Sequence, residues 1–146
     1  MLRFSLTLLA IVLVVSMSTN AQDMAKGQKL YTEYCKTCHQ DGGKGLSTVY
    51  PPLAGSDVLK SKSKAEIIKY VTGGLKGELI VNAKKFNGIM NPLPPKYSDQ
   101  DVADILTYVY GNWGNPGGKI TVADVKKNRV KVAAAVPAKG APAKKK

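Results

Sequence analysis

The stretch "YTEYCKTCHQ", residues 31–40, holds both cysteines and the only histidine of a 146-residue chain. Cys35, Cys38 and His39 thus lie within five consecutive positions. Four chemistries use this spacing: a disulfide, a redox dithiol, a zinc site, and a covalently held haem. A zinc ion needs three or four ligands around it. These three residues exhaust the chain's Cys and His, and one helical turn cannot easily wrap all of them around one tetrahedral ion. A thioredoxin-type dithiol expects a βαβ pattern beside it, whereas the surrounding residues read as helical. A disulfide closing so small a loop stabilises little by the chain-entropy account.

The haem reading uses every residue of the run. On a helix Cys35 and Cys38 stand one turn apart on one face, placed for thioethers to two vinyl groups, and His39 beside them can turn its imidazole onto the iron. C-x-x-C-H is the attachment signature of c-type haem. The expectation is one haem c, held covalently through Cys35 and Cys38.

A second axial ligand is sought among four methionines. Met1 and Met17 fall in an expected signal segment, and Met24 lies ahead of the C-x-x-C-H run, on the wrong side of it for a loop closing over the haem. Met90, in "FNGIMNPLPP", remains; the alternative for it is a gap-filling core residue.

Outward from this run, residues 24–38 read as a helix with Gly27, Tyr31, Cys35 and Cys38 sharing a face. Ser63 with Glu66 forms a capping box ahead of "KAEIIKYV", which Gly73-Gly74 ends. Ser98 caps a helix whose apolar stripe is Val102, Ile105, Leu106, Val109 and Trp113, with Asp99 and Asp101 in its first turn. A short helix follows from Thr121. Glycine- and proline-rich loops separate these helices, with no repeat and no strand pair carrying a hairpin turn signal. Long loops in a small domain indicate that something else fills the centre, and a planar apolar cofactor would do so.

The ends differ from the body. Residues 1–21 read as a signal peptide: Arg3, a short apolar run, then Thr19-Asn20-Ala21 as a small-x-small cleavage site. Its apolar core is too short to span a bilayer comfortably, although left uncleaved it would anchor the N terminus. Residues 131–146 hold only Lys, Ala, Val, Pro and Gly, a composition that predicts a disordered basic tail. The domain between them is expected over 22–130. Net charge is +12, and without Arg3 and the tail's five lysines the body stands near +6. Such a body favours acidic partners; nucleic acid is not expected to be one.

Together, Gly27-x-x-x-Tyr31 ahead of "CKTCH", then "PPLAG", "NGIM" and "SDQDVADILTYV…WGN", resemble the monohaem class I cytochromes c over about residues 24–130. The resemblance implies an all-α fold: four to five helices with long loops wrapped around one covalently bound haem. It implies that the Gly27/Tyr31 face crosses the last helix near Leu106 and Tyr108. It also implies that a carbonyl of the Tyr50-Pro51-Pro52 turn accepts the proton of the second His39 nitrogen. Pro52 is the expected carbonyl, Leu53 is expected against the haem, and Trp113 either approaches a propionate or merely ends its stripe.

His/Met ligation leaves no open iron and raises the potential. That implies a one-electron carrier between exported or membrane-bound redox partners, with no reaction of its own. The alternatives are a haem subunit of a dehydrogenase or oxidase and, behind it, a ligand-binding or peroxidase-like protein with a displaceable Met90. A periplasmic monomer is expected, docking acidic partners through a rim formed by Lys36, Lys84, Lys85 and Lys96.

Overall fold

The computed structural model describes residues 24–132. The expected signal segment, and all but the first two residues of the expected tail, lie outside the described residues. Among the described residues the build is the expected helical one, with five helices and one addition, a β-hairpin.

Helix α1 covers residues 24–39 and changes character along its length. Its middle, Tyr31–Cys35, is a π-turn, closed by the Lys36 N–H on the Tyr31 carbonyl. Such turns insert an extra residue and often stand at functional sites. After it α-geometry resumes over Lys36–His39 and stops at Gln40, whose φ of 59° takes the chain out of the helix. A glycine loop leads to α2 (Asp57–Ser61), a helix for which the sequence carried no expectation. Then come α3 (Lys64–Gly73), β1 (Leu75–Val81), β2 (Lys84–Met90), α4 (Asp99–Tyr110) and α5 (Val122–Asn128).

The three predicted helix starts are in place, each as a complete capping box: Ser63 with Glu66, Ser98 with Asp101, and Thr121 with Asp124. In each box two otherwise orphaned N–H donors are satisfied reciprocally.

The hairpin corrects the expectation of no strand pair. β1 and β2 run antiparallel from Leu75↔Met90 to Val81↔Lys84. Asn82 and Ala83 join them with φ of 51° and 60°, the left-handed pair of a type I′ turn. That turn prefers Asn-Gly, so Asn-Ala gives a weak sequence signal. Met90, expected in an irregular loop, is instead the last residue of β2.

Helix α4 is the centre of the core. Val102, Ile105, Leu106 and Val109 are buried with Tyr31, Ile68, Leu93 and Val125, each worth about 1.5–3 kcal/mol relative to exposure. Helix α1 lies directly on α4. A Cβ at Gly27 would collide with the Asp104 carbonyl and sit 2.8 Å from the Tyr108 Cβ. The crossing is therefore at Asp104 and Tyr108, one partner displaced from the expected Leu106. Lys26 secures it, with Nζ 2.8 Å from Asp101 and 3.0 Å from Asp104.

Two outcomes follow for stability. Gly27→Ala forces α1 off α4 and should lower holoprotein stability by about 1–3 kcal/mol, read as a lower urea midpoint. Burial pushes the Asp101 carboxyl up, but its bonds to Lys26 and Ser98 outweigh this and hold it below its ordinary 3.8. A depressed carboxylate stabilises above its unfolded value and loses that contribution as pH falls through the folded one. Asp101→Asn should therefore be less stable than wild type at neutral pH, and the two unfolding curves should converge in acid.

Candidate functional site

His39 closes α1 with its ring buried, 8% exposed. Its Nδ1 lies 2.9 Å from the Pro51 carbonyl oxygen. A carbonyl can only accept, so Nδ1 carries the proton and Nε2 keeps its lone pair. Burial lowers the imidazole pKa, with the Pro51 bond opposing it, and the ring is neutral at neutral pH. It is therefore ready as a nitrogen ligand.

The acceptor is Pro51 and not Pro52 as the sequence suggested. Consecutive carbonyls of extended chain point to opposite sides, so only one of the two can face the imidazole. Pro52 and Leu53 instead line the cavity described below. The Pro51 carbonyl is placed by a tight return of the chain. Gly45 donates to the His39 carbonyl at 2.9 Å, and Leu46 donates to Tyr50 at 2.9 Å. Gly45 sits at φ +65°, and a Cβ there would run into the Tyr50 carbonyl and the Pro51-Pro52 peptide. Sequence reading saw only a glycine-rich loop here, without assigning Gly45 this duty.

Cys35 lines the same cavity as His39, and Cys38 lines its wider outer mouth. The two sulfurs are not joined in a disulfide. Burial, then the neighbouring Cys38, pushes the Cys35 thiol up to about 12. A redox dithiol needs a ready thiolate, which a thiol raised in this way does not favour. Among the described residues no three His, Cys, Asp or Glu side chains group as metal ligands.

The cavity opens to solvent on one side, and its enclosed part measures about 100 Å³. Ile105, Leu106 and Val109 of α4 form its back wall, α3 adds Ile67 and Val71, and α2 adds Val58 and Leu59. The hairpin closes the front with Leu75, Leu79, Val81 and Met90. Midway along the hairpin Gly77 pairs with Gly88, and a Cβ at either would meet nothing within 4 Å. Two side chains there would enter open space, so the paired glycines leave a slot in the wall. An apolar slot with two thiols at its edge and a neutral imidazole turned into it fits a flat macrocycle held by thioethers.

Met90 lines this cavity together with His39. Met24 does not, because it packs against Gly111 at the far end of α4. The segment after Met90 is held from behind: Leu93 donates to Val71 at 2.9 Å, and the Tyr34 hydroxyl donates to the Pro92 carbonyl at 3.1 Å. Nothing in the sequence singled out Tyr34, whose partner lies 58 positions away. Trp113 lies apart from the lining residues. It packs on Tyr31 and Tyr108, with ring centroids 5.2 and 5.4 Å apart.

The expected lysine rim is largely neutralised. Lys36 pairs with Asp41 at 2.9 Å, Lys85 with Glu78 at 3.0 Å, and Lys96 with Glu33 at 2.8 Å. The mouth itself carries exposed apolar side chains, Val49 and Ile89 at 58% and 66% exposure.

Comparison with known proteins agrees with this geometry. The family model for cytochrome c matches residues 24–113. The chain is 34% identical over 115 residues to cytochrome c-552 of Thermus thermophilus, covering 73% of this chain and 86% of that protein. It is 38% identical over 91 residues to cytochrome c-554(548) of Halomonas halodenitrificans, covering 60% of this chain and 94% of that protein. It also matches the cytochrome c subunit of the quinone alcohol dehydrogenase of Gluconacetobacter polyoxogenes, at 30% over 105 residues. That match takes in 70% of this chain but 22% of the larger subunit.

Tyr34→Phe tests how the Met90 segment is held. Removing the hydroxyl leaves the Pro92 carbonyl without this donor and should cost about 0.5–1.5 kcal/mol. The loss should appear as a lower thermal midpoint and faster amide exchange at Leu93 than in wild type.

Proposed function

The chain belongs to the cytochrome c family, and on that footing we propose that it is a freely diffusing one-electron carrier with iron held between His39 and Met90. A cytochrome c of this kind transfers electrons as a carrier or as the haem subunit of a dehydrogenase, and is not itself an enzyme. Its haem c is covalently attached, and Cys35, Cys38 and His39 fit the attachment site. When bound, the haem supplies a single electron's reversible uptake and release at iron.

The chain's own residues supply the rest. The Pro51 carbonyl fixes the His39 tautomer and raises the ring's basicity as a ligand. The apolar walls keep water from the ring plane and favour the less charged iron state. Met90 is the observation that carries the reading: it is the methionine that lines the cavity with His39, and its backbone is tied on both sides. A thioether there closes the iron to substrates and raises the potential.

Free diffusion is the reading we take by analogy with the relatives that are matched over most of their own length. The chain covers most of the Thermus and Halomonas cytochromes but 22% of the dehydrogenase subunit. No helix among the described residues is long and apolar enough to cross a membrane. We place the protein in the periplasm after removal of residues 1–21, and as a monomer. Its partners meet the mouth around Val49 and Ile89, while the net positive body draws acidic surfaces from a distance. With three of the four rim lysines already paired, the salt dependence of docking should be shallow.

The deciding measurement is the spectrum of mature holoprotein made in a host that attaches c-type haem. Wild type should show the weak red band of methionine sulfur on ferric iron, and no shift on adding carbon monoxide to the reduced form. Met90→Ala should lose the band, bind carbon monoxide and fall in midpoint potential. A wild type without the band that binds carbon monoxide readily would overturn His39/Met90 ligation and favour a ligand-binding or peroxidase-like protein.

A further inference from the structure

The hairpin is one-sided. Its inner face carries Leu79, Val81 and Phe86, while Lys76, Glu78, Ile80, Lys85, Asn87 and Ile89 face out and are exposed. A two-stranded hairpin alone is marginal in water, and at its midpoint the Gly77/Gly88 pair gives it no side chain to press inward. Its position over the cavity depends on what holds its two ends. The base is fixed at Gly74, φ +77°, where the chain runs tight against the Met90 carbonyl and Pro92. At the tip, Val81 and Phe86 are buried at 2% and 4% exposure, and one polar connection joins them.

That connection is reciprocal. The Asp57 N–H donates to Asn82 Oδ1 at 3.0 Å, and the Asn82 N–H donates to Asp57 Oδ1 at 2.9 Å. Asp57 is the first residue of α2, whose own N-cap, Ser56, makes no side-chain cap bond. Asn82 therefore caps α2 from another part of the chain and satisfies a helix-start donor that local residues leave open. Its φ of 51° is tolerated better by Asn than by most side chains, so one residue makes both the turn and the cap. Helix α2 contributes Val58 and Leu59 to the cavity, and the hairpin contributes Leu79 and Val81. The two bonds join these opposing walls at the rim.

We propose that the Asp57–Asn82 pair is a latch that holds the hairpin closed over the haem cavity, and that its release opens the Met90 side of the pocket to small ligands. Asp57 and Asn82 are positioning residues: neither lines the cavity, and both act through the strands that end at Met90. The second half of this inference rests on the proposed Met90 ligation; the first does not.

The test uses the holoprotein and two readouts. Amide hydrogen exchange of β1 and β2 reports opening of the hairpin, and the rate of imidazole binding to ferric protein reports access to the iron. Asp57→Ala breaks one bond, and Asn82→Gly breaks the other while keeping the left-handed turn. Each should speed hairpin exchange roughly three- to tenfold and raise the imidazole rate by a similar factor, with α4 amides unchanged. Asp57→Asn keeps an acceptor for the Asn82 N–H and should stay near wild type. Ala83→Gly gives the same turn the residue it prefers without touching the latch and should not speed hairpin exchange.

Unchanged hairpin exchange in both disruptive variants would overturn the latch. So would equal acceleration in α4, which would mean general loss of stability. Faster hairpin exchange with no change in imidazole rate would overturn the gating half. A wild type lacking the red band would defeat the Met90 reading alone, and hairpin exchange would still decide the latch.

Discussion

Helix α1 can lie on α4 as closely as it does because position 27 has no side chain, and this contact governs where the chemistry ends up. The Asp104 carbonyl and the Tyr108 Cβ occupy the space that a Cβ at Gly27 would need. With the two backbones in contact, Tyr31 enters the core beside Tyr108 and Trp113. The π-turn then carries the chain to Cys35 at the cavity wall and His39 at its end. A wider crossing would move the attachment residues as a unit away from the walls formed by α4. Lys26, bridging Asp101 and Asp104, holds the crossing by charge where the glycine allows it by shape.

The remainder of the body encloses a space that its own side chains leave open. Apolar residues from α2, α3 and α4 face a cavity whose enclosed part is about 100 Å³, well beyond the space a single buried water needs. Such a core gains much of its burial only when an apolar group occupies it, so folding and cofactor retention are linked. The hairpin belongs to the same arrangement. It has one apolar face, and that face is directed at the cavity, which makes it a wall when the cavity is filled and a weak element otherwise.

Electron transfer asks little of such a protein beyond a fixed iron environment and an accessible edge. The fixed side is the His39–Pro51 bond, set by a loop that only glycine at position 45 can close. The accessible side is a mouth where exposed Val49 and Ile89 stand beside ion-paired lysines.

The attachment chemistry was legible in residues 31–40 because it depends on spacing along a single helix. The helix starts at Ser63, Ser98 and Thr121 were legible for the same reason, since a capping box closes over three residues. Met90 is the candidate that elimination among four methionines leaves. The hairpin was not legible: its turn is Asn-Ala, and half its residues face solvent. Pro51 could not be told from Pro52, because the choice between adjacent carbonyls depends on which way the chain faces where it passes His39. The partners of Lys36, Lys85 and Lys96, the reach of Tyr34 to Pro92 and the link between Asp57 and Asn82 belong to the folded chain alone. All of these are meetings of side chains or backbone groups from separate segments or across a turn, and a linear pattern of residue types carries no record of which groups the fold brings to within hydrogen-bonding distance.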